Sequence, residues 1–363
     1  MNPDAKYWVA LSTNQKIGAR TFCKLFKRFK KLERVWQASK KDLAEAGLDL
    51  GQIEAVKEVV AKKNPDEEVA KLKKYEISVI ILPDKNYPRI LKEIPDPPGI
   101  LYLRGQILPQ DELAIAVVGS RKFSPYGQRA TEEIVYPLAR AKITIVSGLA
   151  LGIDSYAHKT ALDAQGRTIA ILACGLDQIY PVNNVRLADK ILASGGAIIS
   201  EFPLGMSALR FNFPIRNRII AGLCLGTIII ECAEGSGSLL TAAAAIDYNR
   251  EVFAVPGPIF SETSVGTNRL IKMGAKLITS YQDILDELAI EEKEKISKAR
   301  QILPDSREEE ILLKFLKEPI LIDQLVTKSN LDAPIINATL IQMEIKGKVR
   351  SLGGTRYVIN GKI

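Results

Sequence analysis

The chain has 363 residues, 47% hydrophobic and 25% charged, with a net charge of +8 and a pI near 9.1. Such a length exceeds what one hydrophobic core usually fills, so two or three domains are expected. No apolar run approaches the ~20 residues a bilayer span requires, and the start, Met1-Asn-Pro-Asp-Ala-Lys-Tyr-Trp8, lacks the charged-then-apolar order of a secretion signal.

A cytoplasmic protein with no membrane partner is therefore expected. The cysteines, Cys23, Cys174, Cys224 and Cys232, show no C-x-x-C spacing and read as reduced thiols. A single histidine, His158, argues against a His-rich metal site, and neither metal nor cofactor is expected. The basic balance permits an anionic partner without proving one.

The first 75 residues read as short lysine-rich helices. Phe22, Leu25, Phe26 and Phe29 recur at helical spacing, with Lys24, Lys27, Arg28, Lys30 and Lys31 mostly on the other face. Segments 40–46, ending at Gly47, and 51–63, ending before Asn64-Pro65, follow. Glycine turns between such helices resemble a helix-hairpin-helix or SAM-like module. A solvated basic face on a small bundle explains the lysines equally well.

A strand is expected at Ser78–Leu82, then an irregular but packed connector from Asp84 to Gly105, dictated by its prolines and glycines. From Ala114 buried strands alternate with amphipathic helices. The strands are Ala114–Val118, Ile143–Val146, Thr168–Leu172, Ala197–Ser200, Thr227–Glu231 and Glu251–Val255. Helices are expected near Pro125–Ala141, Ile153–Gln165, Val185–Ala193, Phe213–Leu223 and Leu239–Tyr248. That alternation predicts an α/β fold with a doubly wound parallel sheet, whose ligands bind at the C-terminal strand ends. After a Lys/Glu-rich stretch, helices at Ile311–Leu316, Ile320–Val326 and Pro334–Ile345 precede two alternating runs joined by Gly353-Gly354. Three helices and a hairpin suggest a winged helix. The third helix carries only Glu344 as charge, which favours a protein-contact or weak DNA role. The expected division is 1–75 helical, 76–290 sheet domain, 291–306 linker and 307–363 winged-helix-like.

Three strand-end loops carry phosphate chemistry. Gly119-Ser-Arg121 offers a glycine turn, a hydroxyl and a guanidinium before a helix N-terminus, but it is not G-x-G-x-x-G, which disfavours a dinucleotide enzyme. Arg210-Phe-Asn-Phe-Pro-Ile-Arg-Asn-Arg218 pairs forked donors with flat aromatic faces, as single-stranded nucleic acid requires. Gly235-Ser-Gly-Ser238 is a hydroxyl-rich turn into another helix. In Ser147-Gly-Leu-Ala-Leu-Gly-Ile-Asp154, Asp154 is expected to cap its helix and to hydrogen-bond His158 one turn on. The loop Cys174–Pro181 reads as structural, with Asp177 and Tyr180 as rim groups.

These motifs, with Val118-Gly-Ser-Arg121, Ile179-Tyr-Pro181, Ser200-Glu-Phe-Pro203, Phe213–Gly222 and Arg250–Gly257, resemble the DNA processing protein A (DprA/Smf) family over residues 85 to 285. Leu151 stands where many relatives carry Arg, and Gly235 where a basic residue is common. The resemblance implies a Rossmann-like, non-enzymatic protein that binds single-stranded DNA, protects incoming DNA and helps load the RecA recombinase in natural transformation. It also implies a homodimer, with a surface near Val265–Ala275. The implied DNA-binding set is Gly119, Ser120, Arg121, Ser147, Gly148, Arg210, Phe213, Arg216, Asn217, Arg218, Ser236, Gly237 and Ser238, with no catalytic residue. Within it Arg121 grips a phosphate, Arg210 meets the backbone, Phe213 stacks on a base, and Ser236 and Gly237 cradle another phosphate. Arg216 and Arg218 serve the same strand, or Arg218 pairs with Glu201 or Glu231. The competing reading is a Rossmann-like enzyme hydrolysing nucleoside monophosphates, for which Glu201, Glu231 and Glu234 are the available carboxylates.

Overall fold

The computed structural model describes residues 2–289, 306–316, 318–345 and 348–359. They fall into two units, Met1–Ile284 and Leu285–Ile363. The expected linker 291–306 lies outside the described residues except for Ser306.

The chain begins with helices α1 (Ala5–Ser12), α2 (Ala19–Phe29), α3 (Lys40–Glu45), α4 (Leu50–Lys62) and α5 (Pro65–Lys73). Local chemistry explains their limits. Ser39 and Asp49 form capping boxes with Asp42 and Gln52, and Asn64 caps α5 with Pro65 in its first turn. Phe22, Leu25 and Phe29 are buried, as their spacing predicts, and Phe22 stacks on Trp8 at 5.2 Å. Part of the basic face is used internally: Lys24 donates to the Gly47 carbonyl and Arg28 pairs with Glu45. These helices share one core with the sheet, and Ser12 Oγ hydrogen-bonds Tyr102 at 2.6 Å.

The connector corrects an expectation. After β1 (Ser78–Ile81) come a short helix α6 (Arg89–Lys92) and strand β2 (Ile100–Gly105), which pairs antiparallel with β1. Pro97-Pro98-Gly99 ends just before Ile100, so the prolines delimit the strand without entering it.

The αβ alternation then runs β3 (Ala114–Val118), α7 (Pro125–Arg140), β4 (Thr144–Ser147), α8 (Ile153–Asp163), β5 (Thr168–Ile171), α9 (Val185–Ala193), β6 (Ala197–Ser200) and α10 (Asn212–Gly222). It continues with β7 (Gly226–Ile229), α11 (Gly237–Asp247), β8 (Glu251–Ala254), α12 (Val265–Lys272) and β9 (Lys276–Leu277), then α13 (Gln282–Glu287). Strand order is β1-β2-β6-β5-β4-β3-β7-β8-β9, parallel from β6 to β9, with β2 antiparallel to β6. The central strands are buried on both faces, which is why they read as unbroken apolar runs. The sheet winds outward from β3 in both directions, so the β3 and β7 ends form its switch point.

In the second unit α14 (Arg307–Phe315), α15 (Ile322–Ser329) and α16 (Ala333–Ile345) enclose Leu312, Leu316, Leu325, Ile336, Leu340 and Met343. Strands β10 (Ile320–Leu321), β11 (Val349–Ser351) and β12 (Arg356–Ile359) order as β10-β12-β11, a winged helix. The expected helix at 320–326 therefore starts two residues late, because Ile320 and Leu321 pair with β12.

Candidate nucleic-acid interface

Four successive strand-end loops converge on one small cleft of about 50 Å3. Arg121 comes from the β3 loop, Gly148, Ala150 and Leu151 from the β4 loop, Ala173, Tyr180 and Pro181 from the β5 loop, and Phe213 and Arg216 from α10. Asn212, itself buried, places α10 by donating to the carbonyls of Ala173 and Ser207, both at 3.1 Å. Pro214 sits in the first turn, where a missing amide costs no helix bond.

Phe213 and Arg216, three residues apart, share the helix face that borders the cleft. The Phe213 ring is half-buried, with Tyr180 edge-on at 5.9 Å and the guanidinium carbons of Arg121 and Arg216 at 5.4 and 5.7 Å from its centroid. The arginines differ in kind. Arg121 is exposed. Arg216 is buried and donates through Nη1 to the carbonyls of Gly148 and Ile171 and through Nε to Asn217. A Cβ at Gly148 would collide with that guanidinium, so the glycine is required by close approach. Asp154 is the nearest counter-charge for Arg216; burial raises its carboxyl against the pull of that arginine.

Asp154 does not bond His158. Its Oδ2 accepts from the Gly148 amide at 3.1 Å, whereas His158 Nδ1 meets Thr168 Oγ1 at 2.7 Å and the ring is fully buried. Burial lowers the His158 pKa to about 3, with Arg216 adding to the shift.

Arg218 points the other way. It pairs with Glu201, donates to the Asp96 carbonyl and is almost wholly buried. Of the two readings open for it, the pairing with Glu201 is the one realised. Glu231 instead fills the switch point: it accepts from the Ser124 amide and hydroxyl at 2.9 and 2.6 Å and from Thr263 at 2.8 Å. This corrects the expectation that the helix N-terminus behind Gly119-Ser-Arg121 is free for a phosphate. The protein's own carboxylate occupies it.

The other expected residues sit as follows. Ser120 Oγ donates to the Lys122 carbonyl, its amide is bound to Glu231 O, and a Cβ at Gly119 would crowd Ile153. Ser147 is fully buried with its hydroxyl on Val117 O, so it faces the sheet and not the cleft. Arg210 is exposed on the loop ahead of α10. Ser236 caps α11 and its hydroxyl lies 2.7 Å from that of Ser238, while Gly237 is exposed. Asn217 Nδ2 donates to Gly237 O at 3.2 Å, which ties this turn to α10. Leu151 lines the cleft and is 47% exposed, so its departure from Arg removes a charge at the rim. Tyr180, expected as a rim group, lines the cleft beside Phe213. The tripeptide Ile179-Tyr-Pro181 carries that aromatic at a proline turn.

Residues 78–289 match the family described as DNA recombination-mediator protein A, and residues 297–355 match its winged helix domain. The chain belongs to the DNA recombination-mediator protein A family. It is 33% identical to Protein Smf of Synechocystis over 98% of this chain and 99% of that one. It is 46% identical to the DNA processing protein DprA of Streptococcus pneumoniae over 56% of this chain and 72% of that one. The solved DprA of S. pneumoniae superposes with a TM-score of 0.66 at 37% identity, covering 78% of this chain and 96% of that one. DprA of Helicobacter pylori, whose structure concerns its mode of binding single-stranded DNA, gives 0.54 at 32% identity over 60% of this chain and 97% of that one. The recombination-mediator family match thus spans the whole sheet domain that carries the cleft.

Proposed function

We propose that this protein binds single-stranded DNA across the cleft, with Phe213 against a base and Arg121 and Arg210 on the backbone. It acts without turnover, protecting incoming strands and delivering them to the RecA recombinase in natural transformation, as a homodimer. One observation carries the reading: a half-buried aromatic ring flanked by an exposed and a buried guanidinium where four strand-end loops meet. Aromatic and Arg side chains together are the recognition set for unpaired bases and phosphates. The Ser236–Ser238 turn, tied to α10, supplies a second contact for the same strand. Residues 76–290 hold the strand in this reading, with 1–75 and 307–363 as accessory domains.

The carboxylates of the competing hydrolase reading are otherwise engaged. Glu201 holds Arg218, Glu231 holds Ser124 and Thr263, and Glu234 lies 3.7 Å from Arg269. The deciding experiment measures binding of oligo(dT), duplex DNA and mononucleotides across a salt series. Oligo(dT) is expected to bind tightest, with an affinity that falls steeply with salt. Equal affinity for duplex, or release of base from a nucleoside monophosphate that Glu231→Gln abolishes, would sink the proposal.

A further inference from the structure

Charge is distributed unevenly along the chain. Residues 1–75 hold 17 lysines and arginines against 10 acidic residues, so they carry +7 of the net +8. Residues 76–363, which include the cleft, hold 33 against 32. The excess is narrower still, for residues 16–41 contain ten basic side chains and one acidic, Glu33. Lysines kept for solubility would be spread over the surface. Here Arg20, Lys24, Lys27 and Arg28 share the face of α2 opposite the buried Phe22, Leu25 and Phe29. Arg20–Lys24 and Lys24–Arg28 are like-charged pairs one turn apart, an arrangement that weakens a helix.

Helix α3 extends this face. It runs back along α2, with Gly47 on Lys24 and Glu45 on Arg28, which brings Lys40 and Lys41 toward the C-terminal end of α2. Lys30 closes that end with φ +62°, a backbone region that lysine rarely enters. Lys24 and Arg28 are engaged by those internal contacts. Arg20, Lys27, Lys30, Lys40 and Lys41 are exposed and form no ion pair among the described residues. No large apolar side chain in residues 16–41 is exposed: Phe26 and Trp36 are half-buried and the others buried.

A bare cationic face narrows the choice of partner. A polybasic surface holds an anionic membrane stably only beside a lipid anchor or an inserted apolar side chain. A protein interface needs aromatic or aliphatic anchors. Single strands need exposed rings on which bases stack, and those lie in the cleft. What remains is a phosphate backbone held by charge, and duplex DNA has the densest, one charge per about 1.7 Å of axis. We propose that residues 16–41 form a second DNA-binding face, for the backbone of duplex DNA. Arg20 and the cleft lie on opposite sides of α10, which gives Phe211 and Ile215 to the cavity beside Arg20 and Phe213 and Arg216 to the cleft. A duplex carrying a single-stranded tail therefore occupies both.

The test follows the anisotropy of a blunt duplex, of oligo(dT) and of the duplex with an oligo(dT) tail across a salt series. It compares the full chain with a triple variant, Lys27→Gln, Lys30→Gln and Lys40→Gln together, and with Phe213→Ala. The blunt duplex should bind the full chain more weakly than oligo(dT), because nothing stacks. In the triple variant duplex affinity should fall about tenfold or more, and the slope of log K against log salt by about 2.7, three contacts at about 0.9 each. Oligo(dT) affinity should stay within about threefold, with an unaltered melting curve, since the three lysines have no internal ion pair. The tailed duplex should bind the full chain about tenfold tighter than either part, and each variant should remove that gain. Undiminished duplex affinity and slope in the triple variant overturn the proposal, as does a tailed duplex bound no tighter than oligo(dT). An equal loss of oligo(dT) would assign the face to the single strand and overturn it too. So would phosphatidylglycerol vesicles that bind the full chain as tightly as duplex and lose the triple variant. If oligo(dT) binding never depends on Phe213 while the triple variant still loses duplex, the cleft reading fails and the duplex face stands.

Discussion

Phe213 is held from three sides, by Tyr180 edge-on and by two guanidiniums, so its ring is positioned before any ligand arrives. Such pre-ordering reduces the entropy lost when a base stacks on it. Truncation to Phe213→Ala is expected to weaken oligo(dT) binding by about 1–3 kcal/mol while leaving thermal unfolding nearly unchanged, since the ring is only half-buried. Fluorescence anisotropy beside a melting curve checks both halves, and an unchanged affinity would remove Phe213 from the interface. Arg121→Ala acts on charge instead. Losing one phosphate contact should reduce the slope of log K against log salt by about 0.7.

His158 gives a pH prediction at the same scale. Its pKa falls from about 6.5 in the unfolded chain to about 3 in the buried site. The unfolded chain therefore binds the extra proton between those values, and the stability owed to a neutral His158 is lost as pH falls through that window. From pH 7 to 5 the loss is about 2 kcal/mol. Glu201 works in the opposite direction, because burial raises its carboxyl to about 7 against the pull of Arg218; its contribution is lost as pH rises. Comparing the wild type with His158→Gln cancels the Glu201 contribution, and the stability gap between the two should narrow by that amount at pH 5. As the chain has one histidine, imidazole NMR reads the site directly. A ring already protonated at pH 5 would refute the assignment.

At the scale of elements, the cleft depends on how closely loops can approach. Gly152 has φ +90°, and a Cβ there would meet the backbone of Ser120 and Arg121. Gly152→Ala is expected to cost roughly 1–3 kcal/mol of stability through left-handed strain and clash. It should also weaken DNA binding, because the β3 loop carries Arg121. Chemical denaturation and anisotropy test the coupling; destabilisation with full affinity would mean that the loop position is not limiting. The parallel strands were legible because burial on both faces makes them continuous apolar runs bounded by glycine turns. Strand β2 was not, since Asp96-Pro-Pro-Gly99 masks the onset of the run that follows it. Along α10 the sequence offers Arg216 and Arg218 to the same strand, with Arg218 alone also open to pairing with Glu201 or Glu231. Which one turns toward the cleft is set by tertiary partners, the carbonyls of Gly148 and Ile171 for one and Glu201 for the other. Nothing in the local pattern encodes the burial of Arg216 against backbone carbonyls.

For the whole molecule, every residue lining the cleft belongs to the first unit, and each unit encloses a core of its own. The winged helix presents a third helix, α16, whose only charge is Glu344, with Ile335, Ile341 and Ile345 exposed. A helix without Lys or Arg brings no positive side chain to phosphate, so this surface contributes little to salt-dependent binding. A chain ending at residue 289 is accordingly expected to fold and to bind oligo(dT) with an affinity within about threefold of the full chain, a difference under ~1 kcal/mol. Its salt slope should change by less than one phosphate contact, about 0.7. The comparison is sharp because the hairpin does carry Arg350 and Arg356. A drop in slope worth two contacts or more would mean that these arginines hold DNA through the wing despite the apolar third helix. An unchanged slope would leave the exposed isoleucines of α16 available for a protein surface, the role its composition favours.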